Sequence, residues 1–372
     1  MKKIVISPYI RFIKSANNTI SIYNFLLNKF QRYYQKSGKL YQYCLTPKSL
    51  DEVIEMFDKK EVMRLIQLYQ LVDPKTIWNM HKVTTLEIET STVCNWKCEY
   101  CPVQYGTRRQ EFIDFELFKS ILKKGIDYGH IKEVALHSYN EPSLDENFEM
   151  YLEAIYRTPF KLALFTNGSY LDESKLNQIQ SFGRRAEITF NLPSQNRETF
   201  IKMTGANTYE QSIWAISKAI EKGIKTIINV QGRGEQRKYE ADAIQQRFPQ
   251  SSVVSYDSFD RAGALKNSYK YDLYISKPYM AGCYMLTRSV YVNIHGELFM
   301  CCNDFNKKYL LGSINDRTIF DVLSDEKASI IRQKAWGAVP ADGNFICRYC
   351  SLMCETINSP VYKLYNQMFK CQ

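Results

Sequence analysis

Between residues 84 and 257, short apolar runs alternate six times with longer stretches of helical period. The runs Thr85–Ser91, Glu133–His137, Lys161–Thr166, Ala186–Asn191, Lys225–Val230 and Ser252–Tyr256 are rich in β-branched and aromatic residues and predict strands. Between them, Phe115–Ile126 and Ser212–Ile220 predict helices, the second with Ile213, Ile216, Ala219 and Ile220 on one side. Strands alternating with helices of this length imply a parallel sheet with right-handed crossovers.

Before this block, residues 1–80 open with strand-like pieces, Ile4–Ile13 and Thr19–Phe25, parted by the turn Ser15-Ala-Asn-Asn18. Helical patterns follow over Leu26–Tyr34, Ser49–Phe57 and Glu61–Leu71, where Val62, Leu65, Ile66, Tyr69 and Leu71 recur at helical spacing. Asp73-Pro74 ends the pattern. After the block, residues 279–372 show little long periodicity but hold seven of the eleven cysteines. A chain of 372 residues suggests two or three domains, and these boundaries set them at 1–80, 84–265 and 279–372.

Charge is uneven: residues 1–50 hold nine Lys or Arg and no Asp or Glu, with nine Phe or Tyr interleaved. That is either a solvated basic face or a surface for an acidic peptide or a nucleic acid. No apolar run is long enough to span a bilayer, and the N-terminus turns polar too soon for a secretory signal, so a cytoplasmic protein without membrane partners is expected. In that compartment eleven cysteines argue against a disulfide framework and for metal coordination. Gly232-Arg-Gly234 has neither phosphate-loop spacing nor the dinucleotide-binding pattern.

The sharpest feature is Cys94-Asn95-Trp96-Lys97-Cys98-Glu99-Tyr100-Cys101, which follows the first of the six strands. Three thiolates on one loop are one too few to close a tetrahedral zinc site or a four-iron cluster. A zinc site would need a fourth ligand from elsewhere, for which His137 is an option. The spacing CxxxCxΦC, with Tyr100 as the aromatic residue, resembles the signature of the radical S-adenosylmethionine (radical SAM) enzymes.

That resemblance implies an α/β fold: a partial (βα)6 barrel with its site at the strand C-terminal ends, an N-terminal winged-helix-like domain and a small C-terminal iron–sulfur domain. It implies that Cys94, Cys98 and Cys101 hold a catalytic [4Fe–4S] cluster whose fourth iron chelates SAM. His137-Ser-Tyr-Asn-Glu-Pro142 resembles the family's GGE motif with both glycines replaced, so Glu141 would accept the SAM ammonium and Asn140 would lend backbone. Thr166-Asn167-Gly168 stands where the family has a common strand end. Asn191 would bond the ribose hydroxyls, and the stretch from Asn229 to Gly234 would bend against adenine.

In the last block, Cys283, twelve residues, Gly296, four residues and Cys301 resemble the opening of the SPASM domain, with His295-Gly296 as a hairpin turn between Ser289–Ile294 and Glu297–Met300. Cys347, Cys350 and Cys354 follow, one cysteine short of a full SPASM set, with Cys371 beyond. Cys283, Cys301, Cys347 and Cys350 would make one auxiliary [4Fe–4S] site, as in the truncated Twitch variant. Zinc is the alternative. A second cluster would need Cys302, Cys354 and Cys371 plus a ligand of another kind. Arg261-Ala262-Gly263 recurs in SPASM-bearing relatives as a linker.

Two strands followed by three helices in residues 1–80 resemble the winged-helix element that grips precursor peptides by strand addition. The function implied is reductive cleavage of SAM to a 5′-deoxyadenosyl radical and hydrogen abstraction from a ribosomally made precursor peptide, with a flavodoxin or ferredoxin as electron donor. The alternatives are a radical SAM dehydrogenase of an aminoglycoside-type small molecule and an iron–sulfur or zinc nucleic-acid-binding protein. The last is disfavoured because no RNA-binding appendage follows at the C-terminus.

Overall fold

The computed structural model describes residues 3–350 other than 15–18, 35, 259, 266–279 and 281. Two compact units emerge, each drawn from separated stretches of chain. The first begins with β1 (Lys3–Ile6) and an antiparallel meander of β2 (Ile10–Lys14), β3 (Thr19–Asn24) and β4 (Lys29–Tyr34). Next come α1 (Lys36–Tyr43), β5 (Lys48–Ser49), α2 (Leu50–Met56), α3 (Lys59–Gln67) and β6 (Leu71–Val72), with β5 and β6 flanking β1. Ile4, Ile10, Phe12, Ile22, Leu40, Cys44, Val53, Val62, Leu65 and Leu71 form its core.

Two expectations are corrected here. The strand expected over Ile4–Ile13 breaks at Ser7–Tyr9, because Pro8 has no amide hydrogen to give a ladder. The helix expected over Leu26–Tyr34 is instead a turn and the strand β4. Asn28, at φ +49°, makes the left-handed turn residue that an asparagine tolerates. The strand then pairs in register with β3, Phe30 opposite Tyr23.

The second unit holds the six predicted strands: β7 (Thr85–Ile88), β8 (Glu133–Leu136), β9 (Lys161–Thr166), β10 (Ala186–Asn191), β11 (Lys225–Gly232) and β12 (Ser252–Asp257). They pair in parallel in sequence order. The crossovers carry α4 (Phe115–Tyr128), α5 (Phe148–Tyr156), α6 (Glu173–Ser181), the pair α7 (Arg197–Thr204) and α8 (Tyr209–Glu221), and α9 (Gly234–Arg247). Asp114 caps α4 by accepting from the Leu117 amide at 2.9 Å, and Gly129 at φ +78° ends it.

After α10 (Met285–Arg288), which belongs to the first unit, β13 (Ser289–Val292) joins the free side of β7 in parallel. The strands β14 (Glu297–Phe299) and β15 (Leu310–Ser313) complete an open nine-stranded sheet with β12 and β15 at its edges. The β13–β14 turn needs Gly296: it sits at φ +74°, and a Cβ there would lie 2.2 Å from Asn315 Oδ1.

Then come α11 (Ile319–Ser324) and α12 (Glu326–Ala335), and a 3-10 turn over Ile346–Tyr349 follows before the last described residue. In the first unit, Arg332 of α12 donates to the Trp78 carbonyl at 2.9 and 2.6 Å, and Tyr9 packs edge-on against Trp78 and Trp336. The described residues up to 83 therefore share a unit with the described residues from 323 to 350. No helix among the described residues is long and apolar enough to cross a membrane.

Candidate active site

Strand register separates the two faces of the parallel sheet. One carries Leu86, Ile88, Val134, Leu136, Leu162, Leu164, Ile188, Phe190, Ile228 and Val230, all buried. Side chains of this kind contribute roughly 1.5–3 kcal/mol each when fully buried. The other face carries Glu87, Thr189, Asn191, Asn229, Gln231 and Tyr256, with His137 just beyond β8. A sheet covered by helices on one face and polar on the other presents that second face to a ligand. On it, His137 Nδ1 lies 3.0 Å from Glu87 Oε2 and its ring lies tilted against Phe165. His137 thus bonds a carboxylate and is not drawn to the cysteine loop.

The cysteine loop follows β7 and is pinned from several sides. Lys97 and Glu99 donate their amides to the Thr204 and Met203 carbonyls at 2.8 and 3.0 Å, satisfying the open C-terminal end of α7. Trp96 packs edge-on against Phe200 and donates Nε1–H to Thr208 at 2.9 Å. Asn95 accepts from Asn167 at 2.8 Å and donates to Ser169 at 2.9 Å. None of α7, Trp96 or Thr208 stood out in the sequence, since a short helix inside a crossover leaves little periodic signal.

Cys94, Cys98 and Cys101 influence one another electrostatically. Burial, then Glu141, pushes the Cys94 thiol up to about 12. Burial and the other two thiols push Cys98 well up, and burial raises Cys101 against the opposing charge of Arg261. Among the described residues no three His, Cys, Asp or Glu side chains are drawn together tightly enough to hold a metal ion as they stand. The donor set is nevertheless sulfur alone, with Cys98 buried and Cys94 and Cys101 half-buried, and resistant to ionisation without added positive charge. Iron supplies that charge, so the residues fit an iron–sulfur cluster.

Glu141 is enclosed, with 1% of its surface exposed. Its Oε1 accepts from the Ser143 amide (3.1 Å), the Ser143 hydroxyl and the Thr166 hydroxyl (both 2.6 Å), and its Oε2 from the Asn167 amide (2.6 Å). In this conformation the carboxylate ties the end of β8 to the end of β9, with one acceptor direction left on Oε2. Beside it, Asn140 donates to Thr90 at 3.1 Å, while its Oδ1 is buried with no protein donor. Asn229 donates to Asn191 (3.0 Å) and Tyr256 (3.1 Å), and its Oδ1 also lacks a protein donor. Buried acceptors without donors are rare in a finished core. At the ends of β8 and β11 they fit a polar ligand such as SAM. Tyr100 is buried behind the loop and bonds Cys98.

A buried charge cluster supports the loop. Arg108 makes a two-pronged bond to Glu89 at 2.7 and 2.9 Å, and Lys307 Nζ lies 3.4 Å from the same carboxylate, whose side chain is fully enclosed. Burial alone would raise the Glu89 carboxyl. The Arg108 bonds and the charges of Lys307 and Arg108 outweigh it and hold the group below its ordinary range. A lowered folded value stabilises the protein above the unfolded value of about 4.3, and that contribution is lost as pH falls through the folded value. Glu89→Gln leaves two half-buried cations facing a neutral amide, at an expected loss of roughly 2–4 kcal/mol. Thermal unfolding across pH should show a lower midpoint and a flatter acid limb. An unchanged midpoint would remove this cluster from the account.

Of the C-terminal cysteines, Cys283, Cys347 and Cys350 lie in the first unit and Cys301 and Cys302 in the second. Cys354 and Cys371 fall outside the described residues.

Two family models match the chain: the radical SAM superfamily over residues 88–245, and SPASM, an iron–sulfur cluster-binding domain, over residues 283–351. Among curated proteins, the S-adenosyl-L-methionine-dependent 2-deoxy-scyllo-inosamine dehydrogenase of Niallia circulans is 23% identical over 67% of this chain and 85% of its own length. The GTP 3′,8-cyclase of Aliarcobacter butzleri (strain RM4018) is 30% identical over 40% of this chain, which spans 46% of that relative. Among solved structures, Streptococcus suis SuiB bound to precursor peptide SuiA superposes with a TM-score of 0.60 at 14% identity, covering 96% of this chain and 98% of that one. The anSMEcpe protein with bound AdoMet gives 0.54 at 15% identity, covering 78% and 100%. At such identities the structural likeness concerns the fold.

Proposed function

From a chain that is a radical SAM enzyme carrying a SPASM iron–sulfur domain, we propose a maturase that modifies a ribosomally made precursor peptide. The observation that carries this is the N-terminal unit. Its strand β4 pairs with β3 alone among the described residues, and the first fifty residues carry nine basic and no acidic side chains. An open, basic sheet edge suits an extended acidic peptide, which adds as a further strand. SuiB, whose fold covers 96% of this chain, was solved with its precursor peptide.

A [4Fe–4S] cluster with SAM supplies, when bound, a 5′-deoxyadenosyl radical able to take hydrogen from substrate carbon. The proposed holders are Cys94, Cys98 and Cys101 for iron, and Asn140, Glu141, Thr166, Asn167, Asn191 and Asn229 for SAM. The rest is work for the chain's own residues. The polar sheet face orients substrate, and the buried walls around it exclude water. Glu87, 3.0 Å from His137 Nδ1, holds the imidazole ring in place on that polar face. In the C-terminal domain, Cys283, Cys301, Cys347 and Cys350 are the proposed auxiliary ligands.

A second reading, oxidation of a small aminocyclitol, draws on the dehydrogenase relative that this chain matches over 85% of its length. Both are decided by anaerobic reconstitution with iron and sulfide, followed by SAM, dithionite and synthetic peptides encoded by short reading frames beside the gene. The expected result is 5′-deoxyadenosine together with a mass change in one peptide. Unchanged peptides with consumption of 2-deoxy-scyllo-inosamine would favour the second reading. A colourless, zinc-loaded protein that leaves SAM intact would sink both.

A further inference from the structure

Beyond β12 the chain makes a turn that the order of strands does not require. Arg261, Ala262 and Gly263 take φ values of +52°, +53° and +85°, three successive residues in the left-handed region. Glycine adopts it freely. Arginine and alanine crowd their own carbonyls there, and such strain persists only where the surroundings over-determine it. The turn is closed by the Ala264 amide on the Arg261 carbonyl at 3.2 Å and the Leu265 amide on the Asp260 carbonyl at 2.9 Å. What it delivers is the Arg261 guanidinium. Nη2 donates to Gln231 Oε1 at 3.0 Å, at the end of β11, and Nε points at the Tyr100 carbonyl at 3.4 Å, inside the cysteine loop. Cys101, Cys302, Tyr139 and Tyr256 all lie within its electrostatic reach. Tyr139 is buried, and its hydroxyl has no hydrogen-bond partner there.

We propose that Arg261 is a positioning residue that sets the reduction potential of the cluster held by Cys94, Cys98 and Cys101. The inference rests on reading those cysteines as the cluster ligands. Reduction adds a negative charge to a cluster, and a fixed cation within electrostatic reach of one of its thiolates stabilises the reduced form. Partial burial strengthens that interaction over its value in water. Arginine suits this half-buried place because it stays charged and its planar fork engages two acceptors at once, here Gln231 and Tyr100. The strained turn is then the means of holding that charge against the Cys101 end of the loop.

The test is a redox titration of the reconstituted full chain, followed by the electron paramagnetic resonance signal that changes shape on adding SAM, with iron content measured in every sample. At a fixed solution potential Arg261→Gln should lower the reduced-to-oxidised ratio about tenfold, a shift of about 59 mV for one electron. Arg261→Lys, which keeps the charge, should hold the wild-type ratio within about twofold, and a merely structural residue would not show this split. A wild-type ratio in Arg261→Gln overturns the proposal, as does a lysine variant that falls as far as the glutamine one. If Arg261→Gln loses its iron, Arg261→Lys decides alone: the wild-type ratio supports the role of charge, and a tenfold fall refutes it. A wild-type protein whose three-cysteine loop takes up no iron would instead sink the ligand reading.

Discussion

Replacing Cys98 with alanine should reduce 5′-deoxyadenosine formation to the level seen without enzyme and remove the iron bound by the loop. Cys98 is the middle thiol, buried, and sensitive to the charge of both Cys94 and Cys101. Without it two thiolates remain, which cannot hold a cluster with one iron free for SAM. The loss should exceed about a hundredfold, since partners one shell further out already cost about 10–100-fold when removed. Thr208→Val supplies that comparison. It deletes the acceptor of the Trp96 indole and leaves every thiol in place, so its loss should fall within that smaller range. Iron per chain and 5′-deoxyadenosine, measured anaerobically, check both variants. A Cys98→Ala protein that still cleaves SAM would mean that the cluster is held elsewhere.

Much of this site could be read from sequence because its parts are local. Cysteine spacing, the run from His137 to Pro142 and the strand-end asparagines each lie within a few residues of a strand with strong apolar pattern. Such short runs between helical stretches give the six strands nearly as the structure has them. The pieces that were not legible depend on distant pairing. β13 joins β7 across two hundred residues, and no local pattern names its partner. Arg261 reaches Tyr100 across 161 positions, and Lys307 reaches Glu89 across 218. Where local signals compete, the reading fails in another way. Leu26-Leu27 begins like a helix, but Asn28 turns the chain and the following residues complete a meander instead. A run that short fits either period, and only its pairing with β3 decides.

That same strand carries the second large effect. Phe30 of β4 is 69% exposed, with its ring tilted against Tyr23 at 4.9 Å, next to Lys29 on a strand whose outer edge is unpaired among the described residues. If the peptide adds as the proposed function has it, an exposed aromatic on this open edge would anchor the added strand, and aromatic anchors commonly cost about 2 kcal/mol or more when removed, about thirtyfold in affinity. Phe30→Asp should weaken binding of a fluorescently labelled precursor peptide by at least about that factor, because it would also set an acid against the proposed acidic peptide. Wild-type binding should itself weaken with added salt, as a charge-guided contact does. SAM cleavage without peptide should not change, because the substitution lies in the other compact unit from the cysteine loop. Unaltered affinity in Phe30→Asp would place the peptide elsewhere on the chain. Equal loss of peptide-free SAM cleavage would mean that the variant disturbs the fold, and Phe30→Ala, neutral and smaller, would then decide whether the edge binds.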